Sequence, residues 1–444
     1  MIYLLSAALG LELSALVLQQ RLLSVLSAGC FLVFFIYHWH SLMPYPRKLA
    51  WVSLAVLLYW AGTAQVRLEQ LLSFASAVAY YSVFVGSLGL MHALVKHLPV
   101  LSELHQKLLN GPKATLYPAY LLTSFAISAV ISFGMLSLVC GSLEQHTQKH
   151  KITGKRFKEG VRGIMTSALR GWALVPLLAP TSVGVAILTR EIPSLTWSTL
   201  LPYSAIAALV MLAVGWWQEN RRIALFKRAK TSVAENTSGL SFNQLLAASL
   251  MVISLIALIA NLTWLSATQS AMVLIPLTVL ASLRLLTGSF KQSFKEVNDT
   301  LCGMRNESFI FGCSALLGAL IGVLTPVEFL ASLLGTSTFA LFAFASGAML
   351  LIVISTLLGV SPIIGISLCA GVLAQLSTLG IAPLAPAIAL LCGFSLAMLI
   401  SPYGASALML ARYSGLTPWR VAVTWNGPFV LWIVVPMLLI PLLA

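Results

Sequence analysis

The sequence of 444 residues is 59% hydrophobic and only 9% charged. This excludes an ordinary soluble protein, since about 25% of the residues of such proteins are charged. The net charge of +14 is interpreted as basic cytoplasmic loops of a membrane protein and not as a nucleic-acid-binding surface.

Apolar runs long enough to cross a bilayer, about 20 residues each, recur along the chain. The first lacks a basic leading segment, so it is interpreted as a span and not as a cleaved signal. Residues 116–141 and 339–377 are predicted to form hairpins that enter and leave the membrane on one side, and residues 172–190 and 383–412 to form spans broken by Pro, Gly and Ser. Continuous spans are predicted near 2–18, 22–37, 49–63, 71–93, 199–217, 242–261, 267–285, 307–325 and 424–443. The predicted fold class is an all-α polytopic membrane protein with about 11 transmembrane segments plus two re-entrant hairpins.

The distribution of Lys and Arg predicts the orientation. With the N-terminus in the cytoplasm, only Arg21, Arg67 and Arg190 of the 26 basic residues fall in periplasmic connections. This bias matches the positive-inside rule, and it predicts a multi-pass protein of the bacterial inner membrane. The six cysteines form neither a CxxC pair nor a Cys/His cluster, so neither a disulfide framework nor a metal centre is predicted.

An internal repeat is found at an offset of 222 residues, half of the chain. Pro180 pairs with Pro402, Arg190 with Arg412 and Trp197 with Trp419, and the predicted spans follow the same offset. Because the two halves begin on opposite sides of the membrane, this is an inverted repeat of the kind that many secondary transporters contain. The predicted divisions are an extra helix (1–21), a first repeat (22–220), a basic linker (221–241) and a second repeat (242–444).

Four strings of helix-breaking residues stand at corresponding places in the two halves. Ser132–Met135 and Gly359–Ile363 lie at the hairpin turns, while Ala179–Gly184 and Ser401–Ser406 break the spans that follow. Irregular backbone at membrane depth is tolerated only where it is buried in protein or lines a water-filled cavity. Helix N-termini suit anions, and freed carbonyls with Ser and Thr hydroxyls suit Na⁺. The alternative is that these residues merely kink the helices.

The positions of the charged residues indicate which coupling ion to expect. Of the twelve acidic residues only Glu12 falls within a predicted span, and the other eleven are placed in loops or at span ends. Proton-driven carriers commonly use buried carboxylates, so Na⁺ is expected, and Glu12 is interpreted as a paired or lipid-interface residue. Arg170 precedes Pro180 by ten residues. It is expected either to extend to the cytoplasmic surface or to face the cavity and pair with an anionic substrate.

This pattern resembles the ion transporter superfamily, which includes the divalent anion/Na⁺ symporters and the large membrane subunits of TRAP transporters. The strongest similarity is Leu399–Val423, where a Pro-Gly break precedes a small-residue helix, an Arg and a Trp-Arg pair; Ala179–Trp197 is similar to the counterpart in the other half. The Ser-Asn-Thr signature of the dicarboxylate symporters is absent, and Phe133 stands where an Asn is expected, which puts a dicarboxylate substrate in doubt.

The resemblance implies an anion site and Na⁺ sites where the hairpin tips meet the broken helices. It also implies dimers and, for many members, elevator motion. The candidate substrate-binding residues are Ser132, Gly134, Arg170, Thr181, Ser182, Ser361, Tyr403 and Ser406. The candidate Na⁺ ligands are Ser132, Pro180, Ser355, Thr356, Gly359, Ser401 and Gly404.

The function predicted from the sequence is secondary active transport of a small organic anion coupled to Na⁺, by alternating access in the lipid bilayer. A homodimer is expected, a periplasmic binding protein is left open as a partner, and no nucleic acid is expected. The alternatives are a cation-coupled exporter or antiporter of the same fold and a membrane subunit of a multi-component transporter. An enzyme acting on lipid-linked substrates is not predicted, because the sequence shows no cluster of carboxylates or His near the membrane interface.

Overall fold

The structure is helical wherever regular secondary structure is described, as expected for a chain that must satisfy its own peptide groups inside a bilayer. The computed structural model describes residues 3–64, 66–95, 112–131, 135–136, 139–141, 143, 155–227, 242–334 and 337–444. In this part of the chain there is no strand, and 7 helices are long and apolar enough to cross a membrane. Shorter apolar helices accompany them. The predicted all-α polytopic membrane fold is confirmed.

In the first half of the chain, the helices follow the predicted spans closely. The continuous spans near 2–18, 22–37, 49–63 and 71–93 are helices α1 to α4, and the chain then passes through α5 and α6 into the broken span. Helix α10 continues to Lys227, inside the predicted basic linker. The bounds are α1 Leu4–Leu18, α2 Arg21–Tyr37, α3 Pro44–Thr63, α4 Leu68–Gly89, α5 Met91–Val95, α6 Leu116–Ile131, α7 Lys155–Ala173, α8 Val175–Leu178, α9 Val183–Glu191 and α10 Trp197–Lys227.

The second half follows the same plan and contains an amphipathic helix ahead of its hairpin. That helix, α13, lies within the segment 288–306, between two predicted spans, and the matching segment of the first half falls mostly outside the described residues. A π-helical turn, Arg420–Thr424, leads into the last long helix. The bounds are α11 Phe242–Leu262, α12 Ala267–Thr287, α13 Phe290–Gly303, α14 Arg305–Leu324, α15 Val327–Leu334, α16 Thr338–Leu357, α17 Pro362–Thr378, α18 Leu384–Ile400, α19 Ala405–Ser414 and α20 Trp425–Leu439.

Local sequence signals set several of these helix ends. Ser266 and Gln269 form a reciprocal capping box at the start of α12, and Gly288 ends the helix with φ +70°. Ser337 caps α16 by accepting from the Ala340 N–H at 3.3 Å. Pro362 opens α17, where its missing N–H costs no helical hydrogen bond.

The two broken spans are interrupted at equivalent points. The first break lies between α8 and α9, at Ala179–Ser182, and the second between α18 and α19, at Ser401–Gly404. The helices that follow the breaks start at Val183 and Ala405, which are 222 residues apart. The spacing of the sequence repeat is therefore present in the helices, while the inverted orientation of the halves and the domain boundaries stay predictions.

Helices α14 and α17 pack with their backbones in direct contact. Helix α17 is the second helix of the predicted second hairpin. A methyl group on Gly322 would lie 2.7 Å from the carbonyl oxygen of Gly371, and one on Gly318 would lie 2.6 Å from that of Ser367. Only glycine permits this approach, as is common between membrane helices. The contact fixes α17 against the core of the protein.

We expect Gly371→Ala to lower the stability of the purified protein by about 1–3 kcal/mol, because the new methyl group overlaps the Gly318 carbonyl oxygen and forces the helices apart. Gly347→Ala on α16 is the matched control, since a Cβ there meets no atom within 4 Å. Thermal unfolding in detergent measures both. Equal melting temperatures for the two variants would contradict the close packing.

Candidate functional site

The two breaks and the turn between α16 and α17 line one cavity of about 480 Å³. This volume lies within the range of about 300–1,000 Å³ that holds small organic ligands in proteins. Its walls combine apolar side chains with polar groups from the breaks. The polar and charged side chains that line it are Tyr45, Asn306, Glu307, Thr181, Ser182, Ser361, Ser401, Tyr403 and Ser406.

The first break is held by its own hydroxyl groups. Thr181 Oγ1 donates to the carbonyl oxygen of Ala129 at 2.6 Å, which ties the break to helix α6. Ser182 is the N-cap of α9, and its Oγ accepts from the Val185 N–H at 3.5 Å. Both side chains are buried. These bonds keep the chain open at Pro180 and set the N-terminus of α9 at the cavity wall.

The second break and the hairpin turn face the same space. Gly404 is the N-cap of α19, and Tyr403 beside it is 63% exposed. In the turn, Gly359 has φ +95°, a backbone conformation that favours glycine. The Ser361 N–H donates to the hydroxyl of Tyr45 at 3.1 Å, so the turn is anchored to the start of α3.

The breaks leave peptide oxygens without partners. The carbonyl oxygens of Pro180 and Thr181 in the first break, and those of Pro402 and Tyr403 in the second, accept no hydrogen bond from the described residues. Peptide oxygens inside a membrane protein need a donor, a water molecule or a cation. The paired positions therefore offer oxygen ligands of the type that Na⁺ takes at unwound helices.

Three helix N-termini and one carboxylate determine the electrostatics of the cavity. The N-cap residues Ser182, Ser361 and Gly404, of α9, α17 and α19, all line it. Each helix N-terminus has the equivalent of about half a positive charge, so together they favour an anion. Glu307, in the first turn of α14, is the charged side chain among the described lining residues.

Eight of the predicted site residues line the cavity: Thr181, Ser182, Gly359, Ser361, Ser401, Tyr403, Gly404 and Ser406. Pro180 is buried in the first break, next to the wall. Ser355 and Thr356 lie one turn back on α16, where Ser355 Oγ donates to the Ile352 carbonyl and Thr356 Oγ1 is buried without a partner. Ser132 and Gly134, at the predicted tip of the first hairpin, lie outside the described residues.

Arg170 occupies neither of the two positions expected from the sequence. Its side chain is fully buried, outside the cavity wall, with Nη2 3.4 Å from Glu219 Oε1 on α10. Nε donates to Asn426 Oδ1 at 3.4 Å, and the guanidinium lies 3.7 Å from the centre of the Phe429 ring. Arg170 thus joins α7 to α10 and α20, because a buried cation is stable only with such partners.

Two acidic residues have positions that the sequence did not predict, one in a buried ion pair and one in the cavity wall. Glu219 was placed at a span end, but α10 continues beyond it and its carboxylate is 1% exposed. Glu307 was also placed at a span end, yet it lines the cavity beside Asn306, whose Oδ1 accepts from the Met43 N–H at 2.9 Å. The polar Asn306-Glu307 pair at the head of an apolar run was the available signal.

The fold of the chain is similar to that of solved structures. The chain is similar to the YdaH transporter of Alcanivorax borkumensis, whose crystal structure is described as having an unusual topology, with a TM-score of 0.59 and 14% sequence identity. The match covers 89% of this chain and 97% of that one. The chain therefore shares its overall fold with that protein. The match is to neither the TRAP large subunits nor the divalent anion/Na⁺ symporters, so that finer resemblance stays a prediction.

Sequence comparison adds no family. No protein-family model matches the chain, and no curated protein matches it. The cavity between the two breaks, within a fold shared with a transporter, is therefore the observation on which a functional proposal depends.

We expect Arg170→Gln to destabilise the protein by about 3–5 kcal/mol, because it leaves Glu219 buried without its inner partner. The double variant R170Q/E219Q should recover part of the lost stability, since neither of the two fully buried positions then carries an unpaired charge. Thermal unfolding in detergent gives both values. Glu159→Gln, which removes a half-exposed partner of Arg162 and Arg222, is the control and should change stability by about 0–1 kcal/mol.

Proposed function

We propose that this protein is a secondary active transporter that moves a small organic anion across the membrane, coupled to Na⁺, by alternating access. The substrate occupies the cavity between the two broken spans. The observation that carries this proposal is the meeting of three helix N-termini, those of α9, α17 and α19, at one cavity in a fold shared with a transporter.

The helix N-termini support an anionic group on the substrate. The free N–H groups of a helix's first turn bind carboxylate and phosphate oxygens, and the helix dipole favours negative charge there. No Lys, Arg or His is among the described lining residues. Recognition of the anion would thus come from the backbone, as at the half-helices of other carriers.

The walls support an apolar body attached to that anionic group. Trp172, Phe311, Phe394 and Met398 line the cavity with other apolar side chains. A purely polar ion would leave these surfaces without a partner, whereas an aromatic or branched carboxylate would cover them. The substrate class that fits best is a monoanion with a compact hydrophobic part.

Na⁺ is proposed as the coupling ion because of the unpartnered carbonyl oxygens in the breaks. Pro180 and Pro402, with the hydroxyls of Ser401 and Thr181 nearby, offer neutral oxygen ligands of a kind that suits this ion. Binding of Na⁺ would also place positive charge next to the anion and raise its affinity. A ligand shifts the transport equilibrium only by binding the two states with different affinities.

A second candidate, a cation-coupled exporter or antiporter of the same fold, is favoured by Glu307. A carboxylate in the cavity wall, whose Oε2 is buried without a partner, is suited to bind a proton or a cationic substrate. The homodimer, the inner-membrane location with a cytoplasmic N-terminus and elevator motion are part of the proposal. A periplasmic binding protein, and with it the role of a membrane subunit in a larger transporter, is left open.

We expect purified protein in proteoliposomes to accumulate radiolabelled benzoate when an inward Na⁺ gradient is imposed, and to accumulate little succinate, because the described lining residues offer apolar walls and no basic side chain. Direct binding of ²²Na⁺ should accompany uptake. Met398→Trp fills the cavity and should abolish uptake, whereas Leu351→Trp, at a 60% exposed position of α16, should leave it unchanged.

The driving force separates the candidates. Uptake driven by a pH gradient and indifferent to Na⁺ would favour the second candidate. Unchanged uptake in M398W, or no binding of any tested anion or of ²²Na⁺, would contradict the site itself.

A further inference from the structure

A second group of buried polar side chains lies at the other end of α9, away from the cavity. It connects α1, α2 and α4 to the last turn of α9. We call it the Arg190 cluster, and its members are Glu12, Ser24, Ser76, Tyr80, Tyr81, Arg190 and Glu191. The transport site described above uses none of these residues.

Glu12 is the central residue of this cluster. Its side chain is 1% exposed in the middle of α1, and its Oε2 is buried without a hydrogen-bond partner. The other groups near the carboxyl are the Ser24 hydroxyl and, at longer range, the Arg190 guanidinium. A carboxylate buried without a counter-ion costs several kcal/mol, whereas the neutral acid needs only hydrogen bonds.

Arg190 is held close to Glu12 without an ion pair. Its guanidinium lies 4.2 Å from the centre of the Tyr80 ring, and Nη2 donates to Ser76 Oγ at 3.2 Å. The neighbouring Glu191 is occupied by the Tyr81 hydroxyl, which donates to its Oε1 at 2.9 Å. Among the described residues no carboxylate forms an ion pair with Arg190. The cluster thus keeps one cation and one buried acid apart.

Among the described residues of the helices packed against α1, no further charged side chain forms an ion pair with Glu12. On α2, Arg21 is exposed and donates to the Glu69 carbonyl oxygen. Helix α12 contributes the Thr268 hydroxyl, 3.4 Å from that of Tyr80. Helix α13 meets α1 at the first turn of α1, where Ser6 donates to Asn298 at 2.9 Å, so the charged residues of α13 lie at that end of α1 and not beside Glu12. Those residues are Lys291, Lys295, Glu296 and Asp299.

We propose that Glu12 is a proton-binding site whose occupancy sets the position of α9. With a proton bound, Glu12 is neutral and Arg190 rests on Tyr80 and Ser76, as in this structure. When the proton leaves, the carboxylate takes Arg190 as its counter-ion, and the end of α9 moves toward α1. Ser24 and Ser76, whose hydroxyls are 3.0 Å apart, give the proton a route from Glu12 toward the partly exposed Arg190.

Helix α9 connects this proton site to the cavity. Arg190 is in the last turn of the helix, and Val183 at its first turn lines the cavity, about 10 Å away along the axis. A shift of the Arg190 end therefore changes the N-terminus that is proposed to bind the anion. The effect of this proton on the anion site rests on the proposed function, whereas the proton site itself does not.

Infrared difference spectra of the purified protein in nanodiscs test the proton site. On titration from acidic to alkaline pH, the wild type should lose a protonated-carboxyl band that Glu12→Gln lacks. Glu69→Gln, at an exposed acid in the first turn of α4, is the matched control and should retain the band. In Arg190→Gln the band should persist to higher pH, because the ionised carboxylate has lost its counter-ion. The same band in the wild type and E12Q would overturn the proton site.

The link to the cavity is tested by maleimide labelling of Tyr403→Cys, corrected for labelling of the parent chain. At acidic pH, Tyr403→Cys should be labelled at the same rate whether residue 12 is the native Glu or Gln. At alkaline pH the two rates should differ. Tyr403→Cys combined with E69Q should be labelled like Tyr403→Cys alone at every pH. Equal rates at every pH would overturn the link through α9. Proteoliposomes that transport none of the tested anions, with the infrared band intact, would overturn the proposed function but not the proton site.

Discussion

The structure depends on one constraint, which is that peptide groups buried in an apolar protein must find partners. In the described part of the chain, helices satisfy most of these groups, whereas at Pro180 and Pro402 the chain opens and leaves carbonyl oxygens without donors. Hydroxyl groups stabilise the opening, most directly through the bond from Thr181 to Ala129. The same constraint that forces the rest of the chain to be helical thus produces the cavity that we propose as the site of Na⁺ and a small anion.

The breaks could be predicted because their causes are local. Proline lacks an N–H and prevents the helix from continuing, and Gly or Ser next to it permits the turn, so Pro180 and Pro402 were found from the sequence alone. The helix bounds were also predictable, since a bilayer demands apolar runs of a known length. The two breaks and the turn at Gly359 line one cavity. This arrangement results from tertiary packing, and in the sequence only the repeat indicated it.

The positions of the charges could not be predicted in the same way. Glu219 and Glu307 stand near the ends of apolar runs, so the sequence placed them at span ends. In the folded protein Glu219 is covered by neighbouring helices and paired with Arg170 and Arg222, and Glu307 faces the cavity. Whether a charge near a helix end meets water or protein is decided by distant segments, here α7 and the hairpin turn. Composition and spacing carry no information about that.

Helix α9 joins the two sites of the molecule, with the cavity at its first turn and Arg190 at its last. The proposal that the paired breaks bind Na⁺ can be tested by structures determined in NaCl and in choline chloride. We expect density bound to the carbonyl oxygens of Pro180 or Pro402 in Na⁺ only. Identical maps with no such density, or helices that run unbroken through both prolines, would contradict it.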